Sequence, residues 1–200
     1  LQSSHGSTAL MFAADQGHEQ VVDLLLLRGA GVNLQDSNGF TALMIAAQAG
    51  HERVIGLLLK HGAGINLQSN KGITALMVAA NNGHERVIEL LLQHGAEINM
   101  QDSKGGTVLM LAAQEGHERV TDLLLQHGAE LNMQNSDGNS ALLYAAFQGH
   151  ERVVELLLRH DTEINLQDSG GQTALMLAAF SGHERVVELL LRHCAEINFQ

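Results

Sequence analysis

Twelve histidines in 200 residues are the first feature with chemical potential. Eleven of them fall on two recurring positions. His18, His51, His84, His117, His150 and His183 each follow a glycine. His61, His94, His127, His160 and His193 each lie ten residues beyond a member of that first set. Imidazole is the commonest metal ligand and titrates in the physiological range. A zinc site, however, needs four donors converging at about 2 Å from one ion. Ligands that recur once per packed helix are expected about 10 Å apart, so such a ladder offers an adventitious ion two donors at most. The string Gly50-His51-Glu52-Arg53 and its copies set an acid beside a base, but adjacent helix residues do not face one another. Cys194, the single cysteine, excludes an intrachain disulfide and a multi-cysteine zinc site. There is no P-loop, no G-x-G-x-x-G, no H-E-x-x-H and no nucleophile elbow. The expectation is no catalytic residue, no cofactor, no metal, and no enzyme activity.

The spacing of these residues leads to the elements that hold them. Thr8, Thr41, Thr74, Thr107, Ser140 and Thr173 stand 33 residues apart, as do the glycines from Gly17 to Gly182 and the asparagines from Asn33 to Asn198. The expected units are 3–35, 36–68, 69–101, 102–134, 135–167 and 168–200, with residues 1–2 as the tail of a preceding unit. A fixed period of this length signals stacked repeats. A residue that recurs six times at one position is there because the stack needs it.

Each unit reads as two helices and a turn. Thr41 opens a short helix through its hydroxyl. Leu43, Ile45, Ala46 and Ala47 supply its apolar face, and Gly50 ends it in the left-handed region. His51-Glu52-Arg53 starts a second helix, with the acid where the macrodipole favours it. Val54, Ile55, Leu57, Leu58 and Leu59 form the expected buried stripe, and Gly62 closes it. Residues 63–72 carry an extended turn around Asn66.

The pattern G-x-T-A-L-M-x-A-A-x-x-G-H-E-R-V-x-x-L-L-L-x-H-G-A-x-I-N resembles the ankyrin repeat over 198 of the 200 residues. The resemblance implies a mainly α fold: a solenoid of helix–turn–helix units, each with a short β-hairpin or loop. It also implies protein binding as the usual task. The family's T-P-L-H is T-A-L-M here, so the usual Thr–His tie is expected to be lost, with methionine filling the space by packing. Asp161 and Cys194 replace the glycine that closes the second helix, which costs roughly 1 kcal/mol each. The resemblance further implies that the hairpin asparagines (Asn33, Asn66, Asn99, Asn132, Asn165 and Asn198) can be substrates of asparaginyl hydroxylases. Their expected structural role is to shape the turn.

The informative positions are those that vary between units. In ankyrin-like stacks the hairpin tips and the first-helix face line a concave groove. Phe40 and Ile73 occupy neighbouring hairpin positions, and Phe147 and Phe180 neighbouring first-helix positions. Gln48, Asn81 and Gln114 share that first-helix position, and Lys71 and Lys104 form a small basic spot at the tips. Exposed aromatics in a groove are typical anchoring residues. These nine residues are the candidate partner-binding set.

The charge balance, 11 basic against 22 acidic residues for a net −11, lacks the basic footprint that nucleic acid requires. No apolar run approaches the ~20 residues that span a bilayer, and no secretory leader is visible, so the cytoplasm or nucleus is the expected compartment. Val186, Val187, Leu189, Leu190 and Leu191 leave the last unit without a polar cap, and the chain reads as a window cut from a longer array. The expected function is a protein–protein interaction module within a longer multidomain or repeat protein. The second reading is a structural array that joins end to end.

Overall fold

The computed structural model describes residues 3–197; residues 1–2, read as the tail of a preceding unit, and Asn198 lie outside the described residues. The chain divides into two compact units, residues 1–103 and 104–200. The first holds α1 (Ala9–Asp15), α2 (Glu19–Leu27), α3 (Ala42–Ala49), α4 (Glu52–Lys60), α5 (Ala75–Asn81) and α6 (Glu85–Gln93). The second holds α7 (Val108–Gln114), α8 (Glu118–Gln126), α9 (Ala141–Gln148), α10 (Glu151–Arg159), α11 (Ala174–Ser181) and α12 (Glu184–Arg192). Each unit is two-layered. In the first, α1, α3 and α5 pack side by side, α2, α4 and α6 form a second row, and each first helix rests on its own second helix. In the second, α7, α9 and α11 form one row and α8, α10 and α12 the other.

The first helices begin where the sequence places a hydroxyl. Thr41 and Thr74 accept from the backbone N–H groups of Met44 and Met77, and Ser140 and Thr173 accept from those of Leu143 and Met176. Such a cap contributes about 1 kcal/mol. The paired alanines behind the cap, Ala46–Ala47 and Ala145–Ala146, are fully buried, which lets neighbouring helices approach closely. In the second helices Val54, Ile55 and Leu58 are buried, whereas Leu57 and Leu59 are only half-buried. The stripe is thus narrower than expected, because successive residues turn about 100° apart and the outer row is covered on one side only.

Three expectations change. First, the described residues contain twelve helices and no regular strand, so the expected hairpin is a tight turn. The Asp36 N–H donates to the Phe40 carbonyl and the Gly39 N–H to the Asp36 carbonyl. The Asp36 carboxylate accepts from the N–H groups of Asn38 and Phe40 at 2.9 and 2.8 Å. The tip then spends its outward groups on the next repeat, with Asn70 N–H donating to the Asn38 carbonyl, so no ladder extends. Gly39 is required at this crossing: φ is +81°, and a Cβ would stand 2.5 Å from the Asn70 nitrogen.

Second, the asparagine side chain ties repeats together rather than shaping its own turn. Asn33 Oδ1 accepts from Gly64 N–H at 2.7 Å, and Asn66 accepts from Glu97 N–H at 2.9 Å. In the second unit Asn132 and Asn165 accept from the N–H groups of Glu163 and Glu196. Third, methionine does more than pack. The Thr8 N–H donates to Met11 Sδ at 3.3 Å while the Thr8 hydroxyl accepts from Met11 N–H, a capping box with sulfur as one acceptor.

Candidate functional site

Seven of the twelve histidines hydrogen-bond to backbone carbonyls of the fold. His51 Nε2 donates to the Asp15 carbonyl at 2.9 Å and His84 Nε2 to the Gln48 carbonyl at 2.9 Å. In the second unit His150 and His183 do the same to the carbonyls of Gln114 and Phe147. A carbonyl only accepts, so Nε2 carries the proton in each ring. The other set closes helices: Nδ1 of His94, His127 and His193 donates to the carbonyl four residues back at 2.8, 2.8 and 3.0 Å. Among the described residues no three His, Cys, Asp or Glu side chains gather as a metal site requires.

In three copies of the Gly-His-Glu-Arg string the arginine pairs with a glutamate three residues on, whereas Arg53 reaches Glu19 of the preceding repeat at 3.4 Å. Arg86 meets Glu89 at 2.8 Å and Arg185 meets Glu188 at 2.6 Å. The hydrogen bond that Arg86 donates to Glu89, helped by the glutamate's charge, holds the guanidinium more firmly protonated than usual. Crevices beside the second-helix starts, at Gly17, His51 and Arg53 and again at Gly116, His150 and Arg152, recur with the repeat and belong to the stack.

A different site lies in the first unit between the turn tips and the first helices. A cleft of about 340 Å³ is lined by Phe12 and Asp15 of α1, Asp36, Asn38 and Phe40 of the second turn, and Ile45 and Gln48 of α3, with Ser7 and Met11 completing it. Phe12 is 59% exposed, and Phe40 and Ile45 are half-buried. Of the candidate set, Phe40 and Gln48 therefore meet here. Ile73, placed beside Phe40 in the sequence reading, is half-buried in the next turn and does not line the cleft. Asn81 and Lys71 are exposed elsewhere in this unit.

Seven of the lining residues fall outside the candidate set: Ser7, Met11, Phe12, Asp15, Asp36, Asn38 and Ile45. Its period assigns Ile45 to the core, and the same position hides Phe12, the equivalent residue in the first repeat. The available signal was the ring itself, since the same position carries Ile45, Val78, Leu111 and Leu177 in four other repeats.

In the second unit Phe147 and Phe180 stand at equivalent positions of the adjacent helices α9 and α11, 43% and 81% exposed. Tyr144, one turn before Phe147, is half-buried and accepts at its hydroxyl from Asn135 Nδ2 at 2.9 Å. Gln114 is half-buried, and its side chain donates to Glu115. Lys104 is exposed at the tip that opens this unit.

The comparisons with known proteins agree with the repeat architecture. Residues 1–69, 61–135 and 109–200 each match the family described as ankyrin repeats in three copies. No curated protein matches the chain. No helix among the described residues is long and apolar enough to cross a membrane. Three matches that together span the sequence, over a structure of repeated helix–turn–helix units, show that the chain belongs to the ankyrin-repeat family.

Proposed function

We propose that this chain binds a partner protein through its turn tips and first helices. Ankyrin repeats are generally protein–protein interaction modules, and the family is a non-catalytic interaction fold. The observation that supports this face is the exposure of Phe12, Phe147 and Phe180. The last two stand where three other repeats carry Gln48, Asn81 and Gln114, so the stack does not demand an aromatic there. Exposed aromatic rings on adjacent helices, as Phe147 and Phe180 are on α9 and α11, are the usual anchors of an interface. We read no reaction into the chain, and the partner is taken to be a protein rather than nucleic acid, in keeping with the net charge of −11.

The test is affinity capture with Phe147→Ser combined with Phe180→Ser, against Gln93→Ala on the outer helix α6 as control. The expected result is loss of captured partners in the double variant and retention in the control. Retention of every partner by the double variant overturns this choice of face.

A second reading, end-to-end association of copies, is favoured by a separate observation. Leu27 is 67% exposed on α2. Leu27 is apolar where the other repeats carry Lys60, Gln93, Gln126, Arg159 and Arg192. Light scattering across a concentration series tests it: mass that grows with concentration and collapses in Leu27→Ser supports the array. A monomer throughout removes it.

A further inference from the structure

We infer that the cleft between α1 and the second turn takes an arginine side chain of the partner. The inference rests on the proposed binding face and names one of its subsites. Three kinds of residue that the repeat does not dictate converge here. Phe12 is the one phenylalanine at its first-helix position, Phe40 the one aromatic at its turn position, and Asp15 the one acid at a position otherwise held by Gln, Asn or Phe. Departures from a six-fold pattern that meet in one cleft make a local feature of the surface, not a requirement of stacking.

The chemistry of the lining selects the occupant. Phe12, Phe40 and Ile45 bring aromatic and aliphatic surface, while Asp15 and Asp36 bring two carboxylates. No Lys, Arg or His lines the cleft. Among the described residues neither aspartate is engaged in an ion pair with a basic side chain. One Asp36 oxygen is committed to the turn through Asn38 and Phe40 N–H, which leaves the other to accept. One Asp15 oxygen accepts from Gln16 at 2.7 Å, and its second oxygen is likewise available.

An apolar floor beside two uncompensated acids fits a group that is flat, cationic and weakly hydrated. Guanidinium has these properties: it stacks on aromatic faces and donates in a fixed fork to carboxylates. An ammonium is a compact, strongly hydrated point charge and matches the aromatic surface less well. A volume of about 340 Å³ lies at the small end of ligand pockets, roughly 300–1,000 Å³, room for one long side chain and part of its neighbour. The expected motif is therefore an arginine flanked by an apolar residue in an extended segment of the partner.

Two conservative variants remove the charge without disturbing the frame, because sister repeats already contain them. Asn81 stands at the position of Asp15, and Asn135 at that of Asp36. Asn135 Oδ1 makes the same pair of turn hydrogen bonds, to Asp137 and Asn139 N–H at 3.0 and 2.9 Å. Asp15→Asn with Asp36→Asn should therefore fold as the parent does.

The probe is the tripeptide acetyl-leucyl-arginyl-leucine amide, titrated into the whole ¹⁵N-labelled chain and followed by NMR. Citrulline and lysine versions serve as comparisons. The expected result is saturable shifts confined to residues 12–16 and 36–48, weaker binding of the lysine peptide and no binding of the citrulline peptide. The double asparagine variant should bind the arginine peptide at least about tenfold more weakly, the factor for the first of two lost charge-assisted hydrogen bonds. Equal shifts with citrulline, lysine binding as tight as arginine, undiminished binding by the double variant, or shifts that map elsewhere would each overturn the inference. If these fail while Phe147→Ser with Phe180→Ser still loses its partners, the binding face stands and only the arginine subsite falls.

Discussion

The imidazole of His51 donates through Nε2 to the carbonyl of Asp15 in the preceding repeat, 2.9 Å away. That bond draws the ring over Gly17, where a Cβ would stand 2.8 Å from the ring atoms. Gly17 also has φ +68°. One glycine thus answers two demands, a left-handed helix end and the close face of the next repeat's ring. The pairing recurs as Gly50 with His84 in the first unit, and as Gly116 with His150 and Gly149 with His183 in the second.

Gly50→Ala separates the two demands. The left-handed backbone (φ +77°) costs a non-glycine residue about 1 kcal/mol. Displacing the His84 ring, which lies 2.8 Å from the added carbon, costs about 1 kcal/mol more through the bond to Gln48. The expected loss by urea denaturation is about 2 kcal/mol. In a His84→Ala background the same change should cost about 1 kcal/mol, because only the backbone penalty remains. Strict additivity in that cycle would show that ring and glycine do not meet in solution.

The glycine–histidine pair also shows what the sequence could and could not reveal. Gly50 was legible as a helix end, and His51 as the first residue of the next helix, because both are local facts. Their joint role was not, since a histidine meets a glycine 34 residues earlier and no local rule links them. The same holds for Asn33, whose bond to Gly64 crosses a repeat boundary. Phe40 and Gln48 were legible as candidates because they vary between repeats. Phe12 was not, because an aromatic in an apolar period reads as core until the neighbouring turn is seen to leave its face open.

Thr121 carries the one buried side-chain polar atom without a partner among the described residues. It is fully buried at a position held by Ile55, Ile88 and Val154 in three other repeats. A hydroxyl in such a place forfeits its hydration with nothing in return. Thr121→Val keeps the branched shape and removes the orphan, and it should raise the stability of the chain by about 1–2 kcal/mol. A rise in the denaturation midpoint with an unchanged slope would bear this out. An unchanged midpoint would mean that water reaches the hydroxyl.

Gly56 lies inside α4 with negative φ and open space around it, nothing within 4 Å of an added Cβ. Its counterparts are Asp23, Glu89, Asp122, Glu155 and Glu188, so no close approach requires glycine. Gly56→Ala should stabilise the helix by about 0.5–1 kcal/mol through reduced freedom of the unfolded chain. Thermal melts of the variant should move upward with the tip-and-first-helix surface unaltered, since α4 belongs to the outer row. A downward shift would show that the outer face of α4 is sterically filled after all.

Asp161 holds the left-handed position that Gly62, Gly95 and Gly128 occupy elsewhere, with φ +56° against +82°, +87° and +84°. Space does not demand glycine at those three positions, where an added Cβ meets nothing within 4 Å, so the penalty at Asp161 is one of backbone and charge. The left-handed backbone costs about 1 kcal/mol for a residue with a side chain, somewhat less for aspartate. The carboxylate also stands just past the C-terminus of α10, where the helix dipole disfavours an anion by a few tenths of a kcal/mol to about 1. Asp161→Gly removes both and should stabilise by about 1 kcal/mol, while Asp161→Asn removes the charge alone and should recover only part. Added salt sorts the two contributions further, because it screens the charge and leaves the torsion untouched. If Asn matches Gly and salt abolishes the gain, the dipole is the whole cause and the left-handed turn costs aspartate nothing.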